Sequence, residues 1–202
     1  VDSAILSGDD SETHMDFDTT AAKDHRKLSK GLRKVAIANS VTQDLSTFTA
    51  DNLLALRAKM GEFGMEVDSC AWIVESKSGN KLPILKDANN NLLMTRVSDL
   101  GPQAAVLKGV IGELFGSPVI SCPKIRTNLA ATGVNTEAGP NTYTVLHYVW
   151  RPAWAYGVRR EPVIESFRWV GAQLVEFVIN IRIDFEHGFG SEKTTGLGIK
   201  IS

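Results

Sequence analysis

The stretch from Leu174 to Glu186, LVEFVINIRIDFE, constrains this chain more than any other. Val175, Phe177, Ile179, Ile181, Ile183 and Phe185 alternate with Glu176, Val178, Asn180, Arg182, Asp184 and Glu186. Period two is the mark of a strand with one buried face and one mostly polar face. The odd-numbered parity reaches back through Trp169 and Phe167, with Gly171 as a point of interruption. At roughly 3.3 Å per residue the run spans about 43 Å, against about 5–6 residues for an ordinary strand. One compact core cannot cover a strand of that length. The chain is therefore expected to be elongated, or to present a surface completed by neighbouring subunits.

The remaining composition narrows the class. With 202 residues and 43% hydrophobic content, the chain can bury a core as one large domain or two small ones. A formal net charge of −1 argues against a main task of gripping nucleic acid. No apolar run is long enough for a membrane helix, and Val1-Asp2-Ser3 does not open a signal peptide. Cys70 and Cys122 match no metal spacing and make no disulfide framework, which fits a reducing cytoplasm.

Along the chain, Val1–Leu6 reads as the last turn of a helix, and Ser7–Thr20 as a mobile, solvated acidic loop. That loop holds Asp9, Asp10, His14, Asp16 and Asp18 but lacks the glycine and closing glutamate of a calcium loop. Lys23, Arg26, Lys27, Lys30, Arg33 and Lys34 read as a solvated face over an apolar seam of Leu28, Leu32 and Val35; contact with an anionic surface is the alternative. Thr49–Gly64 is the clearest helix. Thr49 is its N-cap, Leu53, Leu56, Met60 and Phe63 form its apolar stripe, and Gly64 is its stop.

Ser69–Val74 reads as a buried strand, and SKSGNKLPILKD as a short helix with Pro83 at a first turn. Asp87–Asn91 is turn chemistry, Leu92–Met94 a short strand, and Gly101-Pro102 a break. Leu114–Cys122 reads as strand, Gly-Ser-Pro turn, strand. Ala130–Asn141 is a mobile loop, Tyr143–Trp150 and Ala153–Arg159 are strands, and Gly188–Gly198 is a turn-rich return to a closing strand, Leu197–Ile201. One helix followed by many strands is an α+β pattern.

No catalytic constellation emerges. There is no nucleophile elbow, phosphate loop or His-Glu-x-x-His motif, and the glycine pairs Gly188/Gly190 and Gly196/Gly198 read as turns. A Cys122–His147 nucleophile pair can be drawn, but His147 in TVLHYVW reads as a satisfied strand histidine. Glu161, Glu165, Glu176 and Glu186 read as exposed strand positions, not as a carboxylate pair for glycoside hydrolysis. No cofactor and no metal are expected.

Taken together, several segments resemble the major capsid proteins of tailed bacteriophages. Ala4-Ile5-Leu6-Ser7-Gly8-Asp9 is similar to the run that follows the family's spine helix, and Lys30-Gly31-Leu32 to a Gly-Leu further along. The helix Asp51–Phe63, Cys70-Ala71-Trp72-Ile73-Val74, Leu85-Lys86-Asp87 with Asn91-Leu92-Leu93, and Leu114-Phe115-Gly116-Ser117-Pro118-Val119 follow in the family's order. Arg159–His187 resembles its late pair of long strands. The similarity covers about residues 4–201.

The resemblance implies an α+β capsid fold without the N-terminal arm, extended loop and spine helix. It divides the chain into the spine-helix end and connecting loop (1–48), an axial domain (49–158), the long strands of the peripheral domain (159–187) and a closing strand (188–202). It implies a non-enzymatic subunit of a phage or prophage shell, assembled in the bacterial cytoplasm. Its partners would be copies of itself in pentamers and hexamers, with scaffold, portal and packaged DNA as non-specific contacts and no membrane. Glu176, Asn180, Arg182, Asp184 and Glu186, the polar parity of the long strand, are the candidate subunit contacts. Some relatives cross-link a lysine to an asparagine on the peripheral strand; the comparable position here is Gln173, so no cross-link is expected. An encapsulin-like compartment shell shares the fold and is the nearest alternative. A small α+β enzyme using His147 or the glutamates is the alternative of another class.

Overall fold

The computed structural model describes residues 2–87, 89–96 and 109–202. The expected break at Gly101-Pro102 lies outside them. The architecture is a seven-stranded mixed sheet with helices on both faces, from which a two-stranded ribbon projects. The elements are α1 (Asp2–Ser7), α2 (Leu32–Ala38), β1 (Thr42–Asp44), α3 (Ala50–Lys59), α4 (Glu62–Met65), β2 (Cys70–Val74), α5 (Ser76–Lys81), β3 (Met94–Arg96), β4 (Val110–Leu114), β5 (Ser117–Ser121), β6 (Thr144–Trp150), β7 (Trp154–Trp169), β8 (Leu174–His187) and β9 (Thr195–Ile201). The strand order is β1-β9-β6-β2-β5-β4-β3, with β1–β9 and β2–β5 parallel and the other pairs antiparallel.

The central strand β6 explains the layering. Every residue from Thr144 to Trp150 is buried. Leu146, Tyr148 and Trp150 point into a core with Leu53, Leu56 and Met60 of α3 and Trp72 of β2. Val145 and Val149 point the other way, into a second core with Leu6, Leu32, Ala36, Ile125 and Leu197. A strand covered on both faces reads as a continuous apolar run, as TVLHYVW does. Trp72 is fully buried, and its indole N–H donates to the Leu114 carbonyl at 3.2 Å, so the largest core side chain leaves no polar group unpaired.

The helix at residues 50–65 differs from the expectation. Thr49 is the N-cap, its hydroxyl accepting from Asn52 N–H. The helix ends at Lys59, however, because Gly61 takes a positive φ of 62° and restarts a separate turn, Glu62–Met65, that runs past Gly64. Gly64 is instead packed against α3, where a Cβ would lie 2.3 Å from the Arg57 carbonyl. Gly196 and Gly198 are not turn residues either. They lie inside β9, where a Cβ would meet Leu56 at 3.0 Å and Leu45 at 2.3 Å, so their lack of side chain lets the first core close on the sheet.

Smaller differences are local. The strand expected at Leu92–Met94 begins at Met94, with Leu92 in an isolated bridge to Lys86. The hairpin at 114–117 turns on Phe115 and Gly116, both at positive φ, so Ser117 and Pro118 already belong to β5. Asp87 organises its turn as its chemistry suggests, Oδ1 accepting from the Asn89 and Asn91 N–H groups, each at 2.8 Å. Edge strand β1, too short for its pattern to show, pairs Thr42 with Leu197.

Candidate functional site

The ribbon is the unusual surface of this molecule. β7 and β8 pair antiparallel from Trp154↔His187 at the base to Trp169↔Leu174 at the tip. Register shifts between Val158 and Arg160, and between Arg160 and Val163, place two irregularities in β7 around Arg159-Arg160-Glu161-Pro162. Pro162 cannot donate to a ladder, which suits it to such a stretch. Because each shift flips the parity of β7 and there are two, the faces realign above them. Residues 170–173 close the hairpin with Gln173 at φ 51°. Gln173 is thus a turn residue at the tip, not a strand residue.

Directly opposed residues share a face. Val175, Phe177, Ile179, Ile183 and Phe185 lie with Tyr156, Val158, Ile164 and Arg168 on one face. Glu176, Asn180, Arg182, Asp184 and Glu186 all lie on the other, with Glu165, Phe167 and Trp169. The structure therefore brings the five polar residues singled out from sequence to one face, and all five are exposed. Glu176 Oε2 accepts from the Trp169 indole N–H at 3.2 Å, and Asp184 Oδ1 accepts from its neighbour Phe185 N–H at 2.8 Å.

Two expectations are corrected here. The odd parity of β8 is not buried: Val175, Phe177 and Ile179 are 53%, 68% and 65% exposed, while Ile183 and Phe185 near the base are half-buried. No element of the described chain lies over the ribbon to cover them. Phe167 and Trp169 do not continue that parity, because the chain reverses at 170–173 and puts them on β7, on the opposite face. The contribution of Tyr156, Val158 and Ile164 was missed, since the irregular middle of β7 breaks the alternation that would reveal them.

The base of the ribbon is fixed to the body. Trp154 stacks on Phe185 with ring centroids 4.8 Å apart and planes 9° apart, and its N–H donates to Thr195 Oγ1 at 3.2 Å. Phe185 and Trp154 both pack against the second core. Gly188 N–H donates to the Ala153 carbonyl at 2.9 Å, closing the chain exit.

Below the base lies a buried ionic cluster that replaces the expected solvated loop and solvated basic face. Asp16 is 1% exposed and accepts from Arg33, from Arg126 Nη1 at 2.9 Å and from Asn135 N–H at 2.9 Å. Arg33, also 1% exposed, donates from Nη1 to the Gly133 carbonyl at 3.1 Å. Burial pushes the Asp16 carboxyl up, but Arg33, the Asn135 N–H and Arg126 outweigh it and hold the acid below its ordinary range. Asp9 accepts from Met15 N–H at 2.8 Å and Lys34 Nζ at 3.0 Å; Asp18 pairs with Arg126, and Asp24 with Arg26 at 2.8 Å. The acids of the loop are thus neutralised by cations of the next segment and by the distant Arg126, and the cluster also anchors the Gly133–Asn135 loop, 100 residues on from Arg33. Leu28 is not in the apolar seam but 78% exposed, whereas Leu32 and Val35 are buried. Among the described residues no group of three or more His, Cys, Asp or Glu could hold a metal ion.

His147 is buried, and its Nδ1 has no hydrogen-bond partner among the described residues, contrary to the satisfied histidine expected. Burial, with the nearby Arg33 charge, pushes its pKa down to about 3, so the ring is neutral at ordinary pH. Cys122 packs at the margin of the second core, and Cys70 is buried with its thiol pushed up by burial, which disfavours its thiolate. Glu165 and Glu176 are both exposed on the same face of the ribbon, opposite Val178 and Phe167.

No family model matches this sequence, and no curated protein matches it. Solved structures do. The capsid of an empty GTA particle computed with C5 symmetry matches over 99% of this chain and 60% of its own, with 15% identity and a TM-score of 0.54. The capsid of a native GTA particle matches over 76% and 44%, with 13% identity and a TM-score of 0.49. A chain from Mycobacterium phage Che8 matches over 83% and 56%, with 13% identity and a TM-score of 0.48. This chain therefore spans about half the length of those structures. The first match carries the comparison, and at 15% identity it establishes the fold: the α+β fold expected from sequence is that of a GTA capsid chain.

Proposed function

We propose that this chain is a structural subunit of an icosahedral phage or prophage-type capsid, which assembles with copies of itself into pentamers and hexamers and encloses DNA. In this reading the seven-stranded body is the axial part and the ribbon the peripheral part. The observation that carries it is the ribbon: about 43 Å of two-stranded sheet with no covering layer among the described residues and a row of large apolar side chains in water. A two-stranded ribbon is marginal by itself, so such a surface makes physical sense when neighbours cover it. The shared fold with a GTA capsid chain supports the same reading. The charged parity (Glu176, Asn180, Arg182, Asp184, Glu186) would set register between subunits, because opposed charges reject wrong alignments more than they add affinity. Negative-stain microscopy of the complete gene product tests it. Closed shells are expected; a monodisperse small protein under assembly conditions overturns it.

A further inference from the structure

From the geometry we infer that the hairpin tip of one copy seats in the groove at the ribbon base of a second copy, a contact that specifies the self-assembly proposed above and rests on it. The tip is an apolar knob. Phe167, Trp169 and Leu174 share one face, 52%, 61% and 62% exposed, and Val170 in the turn is 81% exposed. Trp169 is also held: its N–H donates to Glu176 across the hairpin at 3.2 Å, so an exposed indole keeps one orientation with its donor satisfied. Preorganised tryptophans of this kind are the usual anchors of protein interfaces, because little side-chain freedom is left to lose.

The groove lies at the other end of the same ribbon. It has a volume of about 640 Å³ and an apolar floor that includes Ile5, Leu28, Tyr156 and Ile183. Its edge carries Arg159, Arg182 and Asp184. The volume falls within the roughly 300–1,000 Å³ of sites that enclose groups the size of an indole and its neighbours. The charges match as well. Glu176 holds the indole and Glu165 lies beyond Phe167 on the same face, while Arg168 lies on the opposite one, and the groove offers two arginines against one aspartate. Knob and groove are separated by most of the ribbon, about 30 Å, so a tip cannot reach its own groove. The contact is therefore between copies and head-to-tail, a geometry that closes into rings or continues as a chain.

Sedimentation velocity of the 202-residue chain at low salt tests this, with two variants. Trp169→Ala/Val170→Asp removes the knob and Leu28→Asp blocks the groove; the substituted side chains are exposed, and circular dichroism verifies the fold of each variant. The unmodified chain is expected to sediment faster as its concentration rises. Each variant is expected to associate at least about thirtyfold more weakly, the loss of an interface hot spot. A mixture of the two is expected to form a one-to-one dimer that grows no further, since only one intact knob then meets one intact groove. A chain that stays monomeric, association that persists in either variant, or a mixture without dimer overturns the inference. Persistent association in the variants leaves the capsid reading standing with another contact face, whereas failure of that reading shows in microscopy as the absence of shells from the complete gene product.

Discussion

Gly31 N–H donates to the Gly8 carbonyl at 3.0 Å, backbone against backbone, and neither residue has room for a side chain. A Cβ on Gly8 would lie 2.3 Å from the Ser29 carbonyl, and one on Gly31 2.5 Å from Gly8 N. The contact docks the end of α1 onto the start of α2, which puts Leu6 and Leu32 into one core. Neither glycine takes a positive φ, so the demand is for space and not for conformational freedom.

Gly8→Ala or Gly31→Ala should therefore cost about 1–3 kcal/mol by overpacking, read as a lower urea midpoint. Gly109→Ala makes a useful contrast. A Cβ there meets none of the described residues within 4 Å, but φ is 84°, so its cost would come from backbone strain.

Arg33→Met should destabilise by about 3–5 kcal/mol, because it leaves the Asp16 carboxylate buried without its main cation. Adding Asp16→Asn should restore part of the loss. A double-mutant cycle with a coupling below about 0.5 kcal/mol would show that the pair is not an energetic unit.

The buried histidine makes acid destabilisation begin early. The His147 pKa is about 3 in the fold, against 6.5 for an ordinary solvated histidine. Its neutral form is favoured in the fold, so its contribution is complete above pH 6.5 and is lost as pH falls toward 3. The slope is about 1.4 kcal/mol per pH unit. His14 adds in the same direction: burial lowers its pKa, and its Nδ1 accepts from Asp16 N–H at 2.9 Å, which protonation would forbid. Asp16, below its ordinary range in the fold, contributes stability that is lost only below about pH 4. Urea unfolding should show about 2 kcal/mol lost between pH 6.5 and about 5 from His147, and His147→Leu should flatten that part of the curve.

The ribbon's hold on the body rests on Trp154. Trp154→Ala removes its stack on Phe185 and its bond to Thr195, and should speed hydrogen exchange across β7 and β8 by about tenfold or more while β2 and β6 stay protected. Uniform loss of protection would mean that ribbon and body open together.

Charge reversal at Arg182 or Asp184 should reduce closed shells formed by the complete gene product, since both are exposed on the face that would meet a neighbour. Unchanged shell yield in microscopy would remove this face from the assembly contacts.

Much of this molecule was legible in its sequence because local patterns carry it. TVLHYVW, SCAWIV and the Thr49-capped stripe of Leu53, Leu56 and Met60 encode burial through periodicity, and the structure puts them in the cores. The length of LVEFVINIRIDFE set an elongated shape, since no local rule can hide a strand of about 43 Å. What the alternation could not say is what covers it. Period two reports that one face is apolar, not that anything in the same chain lies over it, and Phe177 and Ile179 remain in water. Nor could it show that a reversal at 170–173 sends Trp169 to the opposite face. The acidic loop and the basic segment each looked solvated because charge balance is a pairwise property of distant residues. Only the fold brings Asp16, Arg33 and Arg126 within hydrogen-bond reach, where the Asn135 N–H, the Gly133 carbonyl and Asp18 complete the pairing that charges taken out of water require.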